Sequence, residues 1–113
     1  EPEQFSHSYQ SYPCMFQPRT VNNLIKTNDI AGLEDLNLKR NNWMAKLQAK
    51  GISTRPATHA VHMLTFYKKK YAINAEDYIY SKVANDLSVS LPLFNGITEE
   101  EQNYIIDNVK DSF

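Results

Sequence analysis

Cysteine is nearly absent. Cys14 stands alone in 113 residues, which excludes an intrachain disulfide and any zinc site built on cysteines. Glycine is almost as scarce: Gly32, Gly51 and Gly96 are the three present. They lie too far apart for a nucleotide-binding loop, and no G-x-S-x-G elbow occurs. Neither sign of charge dominates. Twelve Lys+Arg face thirteen Asp+Glu, a net charge of -1, which argues against a nucleic-acid partner and against a polybasic membrane-surface protein. No run approaches the ~18 consecutive apolar residues of a membrane span, and the N-terminus shows no signal-peptide pattern. The cytoplasm is the expected compartment. The chain opens on Glu1 rather than a methionine, so the expectation is that an N-terminal part has been cut away. Repeats and low-complexity tracts are also missing.

What remains is an ordinary globular composition, 42% hydrophobic and 22% charged, at a length that supports one core and not two. Residues 1–6 read as a disordered tail. Residues 7–113 read as a single α+β domain. From His7 to Phe16 aromatic and small residues alternate with period two, a strand that Pro13 places at an edge or bulge. Residues 17–35 are rich in turn-formers (Pro18, Asn22, Asn23, Asn28, Asp29, Gly32) and read as an irregular connection with one short helix. Leu36, Trp43, Met44 and Leu47 share a face at i, i+7, i+8, i+11, which predicts a helix over 36–50 that Gly51 stops. Ile52 to Arg55 reads as a short strand halted by Pro56. A helix is predicted over 61–71, on Leu64, Tyr67 and Tyr71. Another opens at Asn74 as N-cap and carries Ile79, Val83 and Leu87. Ser88 to Leu93 alternates as a strand. Thr98 to Glu101 forms a capping box, with three acids at the positive end of the helix dipole. Ile105, Val109 and Phe113, with Ile106 alongside, give the last helix a buried stripe.

The densest chemical text is Gly51 to Tyr67, GISTRPATHAVHMLTFY. His59 and His62 at i, i+3 can share a face and bind a metal, but the nearest third ligand is His7 or a surface carboxylate. A zinc site needs three or four convergent ligands, so no metal is expected. A histidine packed in the core is the plainer account of either ring. Cys14 lies in a strand without an adjacent base and reads as a small core residue. Lys68, Lys69 and Lys70 point around a helix, which favours a solvated end over a phosphate site. The seven tyrosines could stack bases or sugars, yet their spacing favours half-buried core positions. For Arg55 a surface ion pair and a guanidinium that grips a phosphate or carboxylate stand about even.

Several spaced segments together carry a family resemblance. RNNWMAKLQAKGISTRPATHAVHML, then Tyr67, then SVSLPLFNGITEEEQNYIIDNV is similar to the C-terminal part of the DegT/DnrJ/EryC1/StrS aminotransferases. HSYQSYPCMF resembles the strand on which that small domain begins. The likeness covers most of residues 7–111 and is weakest over 17–35. It implies a small antiparallel sheet of about three strands with helices packed mainly on one face. It also implies a parent chemistry, amination of keto sugars, mostly nucleotide-linked, by pyridoxal phosphate. The family's Schiff-base lysine, pyridinium partner and phosphate turn belong to a large domain that these residues do not include. No lysine here lies in the glycine-rich context of the family's catalytic one. The expectation is therefore a chain with no catalytic residue and no cofactor of its own, unable to transaminate. By the same resemblance, Arg55, Thr58, His59 and His62 lie near the mouth of a sugar-nucleotide pocket and are the candidate contacts. The expected partners are a sugar nucleotide, the missing large domain, or a second copy of the chain. A self-associating interaction module of otherwise unknown function is the alternative reading.

Overall fold

The computed structural model describes residues 3, 4, 6 and 8–112, with Ala75 described by its backbone alone. His7 and Phe113, and with them the third metal ligand and the end of the last apolar stripe, lie outside the described residues. The order is β1 (Tyr12–Met15), α1 (Pro18–Lys26), α2 (Ile30–Ala49), a 3-10 turn at Val61–Met63, α3 (Thr65–Tyr71), a second 3-10 turn at Ala75–Tyr78, α4 (Ile79–Leu87), β2 (Ser88–Leu91) and α5 (Glu99–Lys110). This is an α+β fold in which helices dominate. No helix of the described residues is long and apolar enough to cross a membrane.

Among the described residues the sheet is smaller than the sequence implies: two antiparallel strands rather than three, with Tyr12 opposite Leu91 and Met15 opposite Ser88. The expected third strand, 52–55, shrinks to one bridge at Arg55. Its N–H donates to the Ser90 carbonyl at 3.2 Å and its carbonyl accepts from Ser90 N–H at 2.7 Å. In an antiparallel ladder the next bonded pair would be Ser53 with Pro92, and Pro92 has no N–H to give. The ladder stops there. Because Ser90 turns both backbone groups toward Arg55, Pro13, its partner in β1, sits where an N–H would point away from the sheet. Pro13 and Pro56 thus remove donors from the two outer edges, a common guard against strand addition. The first strand begins at Tyr12 rather than His7, and Tyr9, at φ 47, has already left the extended region.

Residues 17–35 are helical rather than irregular. Their turn-formers sit mostly at helix ends. Pro18 occupies the first turn of α1, where its missing N–H costs nothing. Asn28 turns the chain at φ 52, and the Asp29 carboxylate accepts from Gly32 N–H at 2.9 Å as the N-cap of α2. Val21, Leu24 and Ile25, then Ile30 and Leu33, pack this helical pair onto the core. A Cβ on Gly32 would lie 2.6 Å from Asp29 Oδ2 and 2.6 Å from Leu24 Cδ2, so a side chain here would have to displace the capping carboxylate and the tip of Leu24. The helix expected over 61–71 is broken at Leu64, whose ψ of 132 is extended. The helix after Asn74 begins as a 3-10 turn, and Asn74 does accept from Glu76 N–H at 3.3 Å.

The core gathers around α2. Leu33, Leu36, Trp43 and Leu47 join Phe16, Val21, Ile52, Val83, Leu87 and Val89, and Leu47 and Leu87 are wholly buried. The Phe16 and Trp43 rings meet at 5.5 Å. Trp43 Nε1 donates to Ser112 Oγ, fastening the end of α5. The capping box at Thr98 and Glu101 is complete. Ile105 and Val109 are half-buried, while Ile106 is exposed. Gly51 ends α2 at φ 77, a conformation that favours glycine.

Candidate functional site

The segment Arg55 to His62 leaves the sheet at the Ser90 bridge and runs to the first 3-10 turn. Its start is fixed by the two Arg55 backbone bonds to Ser90. Further along, Ala60 N–H donates to Asn85 Oδ1 of α4 at 3.0 Å, and Ala60 itself is buried. Between these anchors Arg55, Thr58 and His59 are exposed. The Arg55 side chain makes no ion pair, for the ion pairs formed among the described residues are Lys39 with Asp35 and Lys82 with Asp86. A guanidinium with a fixed backbone and open donors is suited to gripping an anionic group by two parallel bonds.

His62 is placed differently. It is 9% exposed and its ring lies 5.2 Å from that of Tyr78. Its Nε2 is buried without a hydrogen-bond partner. The structure therefore brings Arg55, Thr58 and His59 onto one exposed segment and turns His62 inward behind it. No three His, Cys, Asp or Glu side chains converge among the described residues.

The segment depends on α4 and β2 holding still, and a feature absent from the sequence reading does that. Asp86 carbonyl belongs to the last turn of α4, and the N–H four residues on, that of Ser90, is engaged by Arg55. Two side chains of α2 replace it: Arg40 Nε donates at 2.8 Å and Asn37 Nδ2 at 3.0 Å. Arg40 is 5% exposed. Burial draws its guanidinium below the ordinary arginine range, and the charge of Asp86 pulls the other way. A cation at a helix C-terminus also complements the dipole. The signal for it was an arginine at i+4 from Leu36 and i-3 from Trp43, on the apolar face itself.

A second concavity lies between the ends of α2 and β2 and the start of α5. A cleft of about 570 Å³ is bounded by Gly51 to Ser53 after α2, Pro92 to Phe94 after β2, and Glu100, Glu101, Tyr104 and Ile105 on α5. Tyr104 hydroxyl donates to the Lys50 carbonyl at 3.1 Å, which fixes its ring. The volume lies within the usual small-molecule range. Its signal was the run LPLFNG, apolar residues just past a strand that proline ends.

The tyrosines correct the sequence reading. All seven are exposed, from Tyr67 at 38% to Tyr80 at 73%. Their phenolic rings lie outside the core, which Leu, Ile and Val side chains fill together with Phe16 and Trp43. Cys14 is half-buried opposite Val89, and burial pushes its thiol up from the usual value.

The model of the DegT/DnrJ/EryC1/StrS aminotransferase family matches residues 4–110. No curated protein matches the chain.

Proposed function

The chain belongs to the DegT/DnrJ/EryC1/StrS aminotransferase family, and from that premise we propose that it is a non-catalytic small domain that keeps part of a sugar-nucleotide pocket. Arg55, Thr58 and His59 form the retained contact surface, and His62 packs behind them. The observation that carries the reading is the Arg55 guanidinium, unpaired among the described residues while its backbone is held to Ser90 at 2.7 and 3.2 Å. A diphosphate is the group such a fork suits best. Thr58 and His59 offer a hydroxyl and a ring nitrogen for the sugar or ribose hydroxyls.

Pyridoxal phosphate, when held on a lysine, supplies an electron sink. The lysines of this chain do not fit that role. Every lysine but Lys82 is exposed, and Lys82 Nζ lies 2.9 Å from Asp86 Oδ2. A Schiff-base lysine must present a free, desolvated amine, which an ion-paired or fully hydrated ammonium is not. Catalysis in this family setting therefore needs groups from a large domain, and this domain contributes binding surface to it.

The test is a titration of uridine- or deoxythymidine-diphosphate sugars into 15N-labelled protein. Amide shifts confined to residues 55–62, abolished by Arg55→Ala with the rest of the spectrum unchanged, are expected. Silence up to millimolar ligand overturns the proposal.

A further inference from the structure

The cleft beside Tyr104 shares no lining residue with the Arg55 to His62 segment, and its walls have a chemistry of their own. It opens where the ladder parts. Ser53 and Pro92 hold the position of the next bonded pair after Arg55 and Ser90, and both line the cleft. Neither makes a backbone bond among the described residues. Pro92 has no N–H to give, so its carbonyl and that of Ser53 are left as unshared acceptors. Phe94 and Tyr104 bring two rings to the same walls, each about half exposed. The Tyr104 hydroxyl proton is already engaged by the Lys50 carbonyl, which holds that ring in place.

Charge sets the sign of the ligand. Glu100 and Glu101 line the cleft, and no lysine, arginine or histidine does. Glu101 Oε2 accepts from the Thr98 N–H and hydroxyl, whereas Glu100 forms no ion pair among the described residues. The first turn of a helix by itself favours an anion through its N–H groups. Here Glu99, Glu100 and Glu101 all occupy that turn, and their full negative charges outweigh the roughly +0.5 of a helix end. A carboxylate accepts and never donates. The charged groups of the cleft and the two carbonyls at the parted ladder are therefore acceptors, and an ammonium, which has donors alone, is the group that answers them. A ring attached to it fills the apolar remainder, against Phe94 and Tyr104.

We propose that this cleft binds a small aromatic ammonium, its ring against Phe94 and Tyr104 and its N–H donors on Glu100 and the Ser53 and Pro92 carbonyls. A volume of about 570 Å³ admits one or two fused rings. For a ligand the size of tryptamine, dissociation in the ~0.1–1 mM range is expected. The acids that attract this cation repel the diphosphate suited to Arg55. The inference is thus independent of the sugar-nucleotide reading and stands or falls without it.

The test is a titration of tryptamine into 15N-labelled protein, with indole-3-propionate, a near-isostere of opposite charge, as the comparison. Tryptamine is expected to shift the amides of residues 51–53, 93–94 and 100–105 along one saturating isotherm. Indole-3-propionate should bind about tenfold more weakly, attraction to one exposed carboxylate being replaced by repulsion. Glu100→Gln keeps the shape and leaves the capping box alone, and should weaken tryptamine ~3–5-fold. Phe94→Ala should weaken it ~3–10-fold through the lost ring contact. Both side chains are exposed, and unchanged amide positions outside the cleft report that each variant is folded. Silence in the cleft up to ~10 mM tryptamine, well above the expected range, overturns the proposal. So do indole-3-propionate that binds as tightly, a Glu100→Gln variant that binds like wild type, or shifts that spread equally to residues 65–71. Displacement of tryptamine by a uridine-diphosphate sugar also overturns it, by merging the cleft with the Arg55 segment. Sugar-nucleotide shifts at 55–62 without tryptamine shifts in the cleft sink this inference alone.

Discussion

The Asp86 carbonyl offers a sharp test of how this fold holds its candidate site. Two side chains from α2, Arg40 and Asn37, donate to it at 2.8 and 3.0 Å, and no backbone N–H is available in their place. Removing either donor leaves the other. Arg40→Met, which keeps the aliphatic stem, and Asn37→Ala are each expected to cost about 1–1.5 kcal/mol, the net value of one hydrogen bond. Removing both orphans a carbonyl at the end of a packed helix, whose desolvation penalty is a further ~1–3 kcal/mol. The double variant should therefore exceed the sum of the singles by about 1–2 kcal/mol, well outside the ~0.3–0.5 kcal/mol scatter of independent sites. Urea unfolding followed by circular dichroism reads this directly, with slopes unchanged between variants. Because α4 runs straight into β2, the double variant should also speed amide exchange at Ser90 and Arg55. Additive costs, or exchange at Ser90 that stays at the wild-type rate, would refute the shared-acceptor argument and the link from α2 to the Arg55 segment.

Four further outcomes are expected. Gly32→Ala, which in most helix interiors stabilises by up to ~1 kcal/mol, should here destabilise, because its Cβ would meet Asp29 Oδ2 and Leu24 Cδ2 at 2.6 Å; a raised melting temperature contradicts this. His62→Phe keeps the ring against Tyr78 and removes a buried nitrogen that lacks a partner, so stability should be unchanged or higher by about 1 kcal/mol, whereas loss of nucleotide-induced shifts at unchanged stability would make His62 a direct contact. Cys14 should react with iodoacetamide more slowly than glutathione at pH 8, since burial raises its thiol pKa. The sign for stability follows: the unfolded thiol ionises first, at about 9.0, so stability is full below that pH and falls as pH rises toward the folded value, and a Cys14→Ala variant with the same alkaline slope would contradict it. Finally, pyridoxal phosphate followed by borohydride should leave sub-stoichiometric label scattered over exposed lysines, and one equivalent on a single lysine by mass spectrometry would overturn the non-catalytic reading.

What could be read in advance divides by the range of the interactions involved. The capping box at Thr98, the glycine stop at Gly51 and the stripe Leu36, Trp43, Leu47 depend on neighbours within a turn or two, and each stands where the spacing put it. The third strand failed because its persistence depended on Pro92, forty residues downstream of Ile52 in sequence, and a missing N–H on one strand is invisible from the other. The helices of 17–35 were hidden by a different confusion. Asn28, Asp29 and Pro18 are turn residues and cap residues for the same reason, their way of satisfying local backbone groups, and composition alone does not say which duty they perform. The candidate site shows both limits at once. Its segment, Arg55 to His62, is legible because polar and cationic residues crowd past a strand end. The inward turn of His62 is not, because a continuous helix would align it with His59, whereas the extended Ala60 between them, before a 3-10 turn that starts only at Val61, changes that phase. The role of Arg40 within the apolar stripe is invisible in the sequence because its partner is a backbone carbonyl 46 residues away. A charged residue at a core position of a helix is thus better read as a request for a distant acceptor than as a break in the pattern.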